Sequence, residues 1–197
     1  MSRLFANWYD IFMNPLEKKK FRMIRKELLS KAKGSVLELG SGTGINFPLY
    51  EKAATVTAIE PSQHMIERSL SKLKQAVVPI EVVQASAEEL PFAVDSFDTV
   101  VATLVFCTIP NPEKAILEMK RVCKSDGEIL LFEHVKMQNR FLSLLQDWLT
   151  PAWKKICDGC CLNRNTLDLL KANDIYIMKV QKYYRDLFVF AEAINKK

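Results

Sequence analysis

The sequence predicts a single α/β domain of 197 residues, with a mostly parallel sheet flanked by helices. Three observations predict it. Strand-like and helix-like apolar patterns alternate along the chain. Two of the strand segments, VVATLVF and ILLF, are apolar at nearly every position, as strands covered on both faces must be. The first strand also ends directly in a glycine turn, ELGSGTG.

The elements follow in order. After an aromatic opening, residues 16–32 predict a helix in which Leu16, Phe21, Ile24, Leu28 and Leu29 approximate one apolar stripe and lysines and arginines fill the rest. Residues 35–39 predict a short apolar strand, and residues 55–59 a β-branched one. Residues 62–74 predict a helix with Ser62 as its N-cap. Residues 80–84, 97–104 and 128–133 predict three further strands, with a helix over 112–123 between the last two. Residues 141–156 and 165–172 predict two more helices, before 176–180 and 186–190 return to strand character.

With 49% apolar and 26% charged residues, six glycines and eight prolines, the chain is neither collagenous, disordered nor an assembly of several domains. A domain of this size buries roughly 70% of the surface its unfolded chain exposes, so it needs no disulfide or structural metal to fold. The formal charge of +5 is local. Residues 17–33 carry eight basic and two acidic side chains, and the rest of the chain comes to −1. Such a helix can rest on an anionic membrane surface, or can cover the core with its charges solvated. Because the patch is confined to one helix and no nucleic-acid-binding module is visible, no nucleic-acid partner is expected. The five cysteines, Cys107, Cys123, Cys157, Cys160 and Cys161, are odd in number and few for the length, which points to a reducing cytoplasm. No window reaches the roughly 18 consecutive apolar residues that a spanning helix needs.

Gly40, Gly42 and Gly44 permit a tight turn and close approach of a ligand to the backbone. The dinucleotide pattern G-x-G-x-x-G fails because Ile45 stands where the third glycine belongs, and no phosphate-binding G-x-x-x-x-G-K-[ST] occurs. The turn therefore suits a nucleoside ligand without demanding phosphates. Glu60 follows the second strand, where a carboxylate can accept both hydroxyls of a ribose. Together the two features predict an adenosine-bearing ligand across the carboxyl ends of the strands.

Four ordered segments, VLELGSGTG, AIEPSQHMIERS, ASAEELPFAVDSFDTVVATLVF and RVCKSDGEILLFEHV, closely resemble the class I S-adenosylmethionine-dependent methyltransferases, in the subgroup of the quinone C-methyltransferases. The resemblance implies a Rossmann-like fold with a seven-stranded sheet, S-adenosylmethionine as cofactor and S-adenosylhomocysteine as product. It divides the chain into an N-terminal helix or lid (1–33), a cofactor-binding half (34–135), a helical insertion serving the substrate pocket (136–175) and closing strands (176–197). By the same resemblance Glu38, Gly40, Ser41, Gly42 and Gly44 surround the methionine part of the cofactor and Glu60 takes the ribose hydroxyls. Pro61, Ser62 and Met65 lie by the ribose and adenine, Ala87 and Glu88 border the adenine edge, and Thr103 approaches the methionine end through its backbone. Ser86 stands where many relatives carry aspartate, and still offers a hydrogen bond to the adenine amine without charge assistance.

The later motifs EHV, PAW and DGC-x-L-x-R resemble the family of the microsomal thiol S-methyltransferases and of bacterial proteins named phospholipid methyltransferases. The positions are Glu133, His134, Val135, Pro151, Ala152, Trp153, Asp158, Gly159, Cys160, Leu162 and Arg164. The apolar N-terminal anchor of the microsomal proteins is missing from this sequence, so a soluble or peripheral enzyme is expected. The implied acceptor is a small molecule, a thiol or another apolar compound, with a lipid at the membrane surface and a non-catalytic cofactor-binding role as the alternatives.

A sulfonium methyl is already electrophilic, so a base is needed only where the acceptor must lose a proton, as a thiol or phenol must. His134, after the fifth strand, is the first candidate base, and equally a residue that orders its loop. Asp158 is the second, although Asp-Gly is also a common turn pair. His64 reads as a surface or packing residue, and Cys107 as a small buried hydrophobe. Cys157 and Cys160 have no second CxxC, and His134 is distant in sequence, so no metal site is expected. Phe141, Leu144, Leu145, Trp148 and Trp153, together with Leu4, Phe5, Trp8, Tyr9 and Phe12, can form an apolar lid over the sulfonium end.

Overall fold

The computed structural model describes residues 20–157 and 159–197. Its elements are α1 (Arg22–Leu29), β1 (Gly34–Leu39), a 3₁₀ turn (Phe47–Leu49), β2 (Ala53–Ile59), α2 (Gln63–Leu73), β3 (Ile80–Val83), β4 (Phe97–Thr103), α3 (Pro112–Val122), β5 (Cys123–His134), α4 (Arg140–Ile156), α5 (Thr166–Ala172), β6 (Ile175–Tyr183) and β7 (Phe188–Asn195). The strands form one seven-stranded sheet in the order β3-β2-β1-β4-β5-β7-β6, and only β7 runs against the others. This is the expected Rossmann-like class I methyltransferase architecture.

Period-two alternation divides the core between the two faces of the sheet. Leu37, Val100, Ile129 and Leu131 face one side, where Ala115, Ile116, Met119 and Val122 of α3 and Leu170 of α5 cover them. Val36, Val101, Leu130 and Phe132 face the other, beneath Phe21 and the Ile24, Leu28 and Leu29 stripe of α1. The described part of the basic helix thus packs on the sheet, with Lys20, Arg22 and Lys26 exposed. Leu16 and the first-residue aromatics lie outside the described residues. Among the described residues no helix is long and apolar enough to cross a membrane.

The last strand departs most from expectation, starting at Phe188 and running to Asn195. Tyr184, Arg185 and Asp186 all have positive φ and make the preceding turn. The Ala-Glu-Ala run after Phe190 has weak strand propensity, but it pairs with β5 on one side and β6 on the other, and that pairing overrides propensity. Likewise β5 starts at Cys123, before the expected Glu128, and β6 runs three residues past Val180. Ser62 does stand at the N-cap of α2, but its hydroxyl makes no capping bond.

The expected lid divides along the insertion helix α4: Trp153 hydrogen-bonds the Cys160 thiol, Phe141, Leu144, Leu145 and Trp148 face solvent, and Leu4, Phe5, Trp8, Tyr9 and Phe12 lie outside the described residues. Phe141 and Trp148 are 77% and 76% exposed, Leu144 and Leu145 are also exposed, and Gln146 and Thr150 are the buried residues. Polar backbone is the cause. Gln146 accepts from the Met137 N–H at 2.8 Å and donates to the Val135 and Leu162 carbonyls at 3.1 and 2.9 Å, satisfying groups that an apolar side chain would leave unpaired.

Candidate active site

The strand order reverses between β1 and β4, and open α/β sheets bind their ligands in the crevice beyond the carboxyl ends of the strands at such a switch point. Into it β1 delivers the glycine turn. Gly40, Gly42 and Gly44 all have positive φ, and the turn is held by Ser41 N–H to Ile59 O at 3.0 Å and Gly44 N–H to Ser41 O at 2.9 Å. Lys72 of α2 braces it from outside, donating to the Thr43 carbonyl at 2.8 Å.

Glu60, at the end of β2, is buried, and its two carboxylate oxygens accept the Gly42 and Ser62 N–H groups, each at 3.0 Å. One carboxylate therefore ties the glycine turn to the start of α2. Met65 is buried in the first turn of α2 and Pro61 is exposed at its mouth. Farther along the crevice, Ser86 Oγ accepts the Glu88 N–H at 3.2 Å, and Glu88 Oε1 accepts the Asn111 N–H at 2.7 Å, with Ala87 buried between them. These bonds join the loop after β3 to the loop after β4.

Beneath the turn lies a buried polar network that the sequence reading missed. Glu38 Oε1 accepts from Asn46 Nδ2 at 2.8 Å, and its Oε2 from the Tyr50 hydroxyl at 3.0 Å. Arg25 donates to Asn46 Oδ1 at 3.1 Å and Thr103 Oγ1 at 2.7 Å, and its guanidinium lies over the Phe132 ring at 5.7 Å. Glu38 and Thr103 were expected around the methionine part of a ligand. Both oxygens of Glu38 and the Thr103 hydroxyl are hydrogen-bonded in this network, while the approach expected of Thr103 is through its backbone. A signal for Arg25 existed, because it falls on the same helical face as Phe21, Leu28 and Ala32, where a charge must find partners.

A second cluster sits at the carboxyl end of β5. His134 Nε2 is 3.2 Å from Cys160 Sγ, and Cys107 Sγ, His134 and Cys160 Sγ offer atoms all within 4.8 Å of one another. Distance along the chain had argued against such a set, and folding removes that distance. Two loops bring it together: Cys161 N–H donates to the Cys107 carbonyl at 2.8 Å, and Arg164 donates to the Phe106 and Ile109 carbonyls. Hydrogen bonds from Cys107, His134 and Trp153 hold the Cys160 thiol far below the usual thiol range, while Cys107 is pushed up by that same bond and by burial. Glu133 is fully buried, and its Oε1 accepts the Val105 and Phe106 N–H groups at 2.9 and 3.2 Å. Asp158 lies outside the described residues, and His64 stands on α2 at 3.9 Å from Glu67, away from this cluster.

The sequence profile of the Methyltransferase domain matches residues 37–131. The human thiol S-methyltransferase TMT1B is 32% identical over 166 residues, covering 78% of this chain and 68% of that protein. The chain belongs to the S-adenosylmethionine-dependent methyltransferases. The phosphatidylethanolamine N-methyltransferase of Cereibacter sphaeroides is 35% identical over 138 residues, 68% of each chain. In fold, the methyltransferase is similar to the YcgJ protein of Bacillus subtilis, with a TM-score of 0.71 at 16% identity over 89% of this chain and 99% of that one. It is also similar to a SAM-dependent methyltransferase from Aquifex aeolicus, with a TM-score of 0.62 at 18% identity over 86% and 88%.

S-adenosylmethionine is the cofactor, and the crevice of this methyltransferase fits it. Ser41 Oγ is buried with no hydrogen-bond partner among the described residues, as expected of a group reserved for a ligand. A Cβ built on Gly42 would meet nothing within 4 Å, so the turn leaves open space on that side. A Cβ on Gly40 would clash with Val105 Cγ2 at a φ of +60°. Gly40→Ala is therefore expected to destabilise the methyltransferase by about 2–4 kcal/mol, combining left-handed backbone strain with overpacking. Thermal denaturation measures it, and Gly42→Ala, with strain but no clash, is expected to cost less.

Burial pushes the Glu38 carboxyl up to about 7, against the bonds from Asn46 and Tyr50 and the charge of Arg25. The native state thus holds this proton more tightly than the unfolded chain. Its contribution is fully present below about pH 4.5 and is lost as pH rises toward 7, by up to about 3 kcal/mol. Glu38→Gln keeps a neutral amide in place, and urea denaturation across pH 5–8 should show that fall in the parent and a flatter profile in the variant.

Proposed function

We propose that the methyltransferase transfers the cofactor's methyl group to the sulfur of a small, largely apolar thiol. The observation that carries this reading is the Cys107, His134 and Cys160 cluster, which gathers sulfur and imidazole at the acceptor end of the crevice, on the strand adjoining Thr103. The human relative named as a thiol S-methyltransferase supports the same choice. The sulfonium supplies the electrophilic carbon, so this chain's task is to align the acceptor and exclude water. Ser41, the glycine turn and Glu60 position the methionine and ribose parts. Ala87 and Glu88, with Ser86, border the adenine. His134 and Cys160 meet the acceptor sulfur.

The experiment is turnover of methyl-labelled S-adenosylmethionine with a panel of alkyl and aryl thiols, phenols, quinols and ethanolamine phospholipids. Thioether formation, matched by S-adenosylhomocysteine and lost in Cys160→Ala, is the expected result. Methylation of the lipid amine and not of thiols would replace this reading with the lipid one, for which the Cereibacter relative stands. The basic helix at 17–33 gives that rival its own check, since vesicle binding through it should weaken with salt.

A further inference from the structure

Cys107, His134 and Cys160 have the composition of a catalytic zinc site, two thiols and one imidazole, with room for a fourth ligand. We propose that they bind one zinc ion and that its fourth position takes the acceptor's sulfur, an inference resting on the thiol reading above.

Three observations carry it. The first is distance. Zinc with sulfur at about 2.3 Å and nitrogen at about 2.0 Å in a tetrahedron sets its ligand atoms roughly 3.5–3.8 Å apart. The three atoms here lie within 4.8 Å of one another, with Nε2 to Cys160 Sγ at 3.2 Å, so small side-chain adjustments close the set around an ion. The second is rigidity. Each ligand sits on backbone tied to the others: Cys107 through its carbonyl to Cys161 N–H, the Val105 and Phe106 N–H groups through Glu133 to the residue before His134, and Arg164 to the carbonyls on both sides of Cys107. These ties hold the three side chains in register, and His134 Nδ1 is buried with no hydrogen-bond partner among the described residues. The third is charge. Glu133 is fully buried, its Oε2 has no hydrogen-bond partner among the described residues, and it interacts electrostatically with Cys107, His134 and Cys160. A buried carboxylate oxygen without a partner thus stands beside the cluster, where a bound dication is favoured.

Thiolate and imidazole donors suit zinc, whereas magnesium and calcium take oxygen ligands. Three protein ligands with an open position mark a catalytic rather than a structural zinc. The step then balances simply. The acceptor thiol loses its proton to solvent as its sulfur joins the zinc. That sulfur forms a bond to the cofactor's methyl carbon as the sulfonium carbon–sulfur bond breaks, and the electron pair of the broken bond stays with S-adenosylhomocysteine. The neutral thioether is a poor ligand and leaves. His134 thereby becomes a ligand, in place of the base expected from the sequence. The cluster lies beside the cofactor crevice, because Val105, which packs on Gly40, is two residues from Cys107.

The test uses the full chain purified without chelators. Elemental analysis is expected to find about one zinc per chain, falling below about 0.1 in Cys107→Ser and Cys160→Ser, while calorimetric binding of S-adenosylhomocysteine persists and shows the variants folded. Cobalt(II) in place of zinc should give a thiolate-to-cobalt charge-transfer band and the strong visible bands of tetrahedral geometry, shifting when thiophenol is added. Neither zinc nor a cobalt band, in protein that still converts thiophenol to its thioether, overturns the metal site and leaves the thiol reading intact. A cobalt band that thiophenol does not shift overturns the open fourth position. Metal bound with a thiophenol-sensitive band, but no thioether from any thiol, supports the site and counts against the thiol reading alone.

Discussion

Glu60→Ala is expected to weaken binding of S-adenosylmethionine by about 100- to 1000-fold, because a carboxylate accepting two hydroxyls makes two charge-assisted hydrogen bonds worth roughly 1.5–3 kcal/mol each, less the cost of ordering. The structure adds a further cause. In this chain the same carboxylate holds the Gly42 and Ser62 N–H groups, so its loss also loosens the turn that must meet the ligand. Glu60→Gln keeps an acceptor toward one of these groups and should fall between alanine and the parent. Calorimetric titration with S-adenosylhomocysteine measures both variants without needing the acceptor. Equal affinity for parent and alanine variant would remove Glu60 from the ribose site.

Arg25→Met is expected to cost about 3–5 kcal/mol of stability, the usual consequence of removing one partner from a buried charged network. Its guanidinium donates to Asn46 and Thr103 and covers Phe132, and Asn46 in turn donates to Glu38. Without the guanidinium, Asn46 Oδ1 loses a bond and Glu38 loses the opposing charge of Arg25. The methionine fills the space of the stem, so the loss reports the head group rather than a cavity. Arg25→Lys keeps the charge without the fork and should recover only part. Urea denaturation gives the figures. Because the network underlies the glycine turn, cofactor affinity should fall in the same order as stability.

The strands of the parallel core were legible because each is an apolar run facing two covered sides, and the glycine turn because only glycine fits its positive φ values. Glu60 and the glycine turn were legible as local signals at strand ends, and the Gly42 N–H bond to the Glu60 carboxylate brings them together. What could not be read was whatever depends on which segments meet. Cys160 and His134 are 26 positions apart, and bonds between distant segments, among them Lys136 N–H to the Arg164 carbonyl and Gln146 to the Val135 and Leu162 carbonyls, bring them together. Strand β7 was misplaced because its alanines are held by pairing on both edges, which propensity does not register. The burial of Gln146 and Thr150 on α4 was not legible in its apolar pattern, because it answers unpaired backbone at 135–137 and Leu162. Arg25 sits among the solvated charges of its helix in the sequence, and only its place on the apolar face marks it as buried.

The central claim is that one crevice holds the cofactor over the glycine turn and presents an acceptor sulfur from the His134 and Cys160 side. A crystal structure of the chain with S-adenosylhomocysteine and thiophenol tests it most directly. The predicted result has the ribose hydroxyls on Glu60 and the thiophenol sulfur between the cofactor sulfur and the Cys160 cluster, within about 4 Å of both the cluster and the place the methyl group occupies. A ribose bound away from Glu60, or a thiophenol seated away from His134 and Cys160, would contradict it.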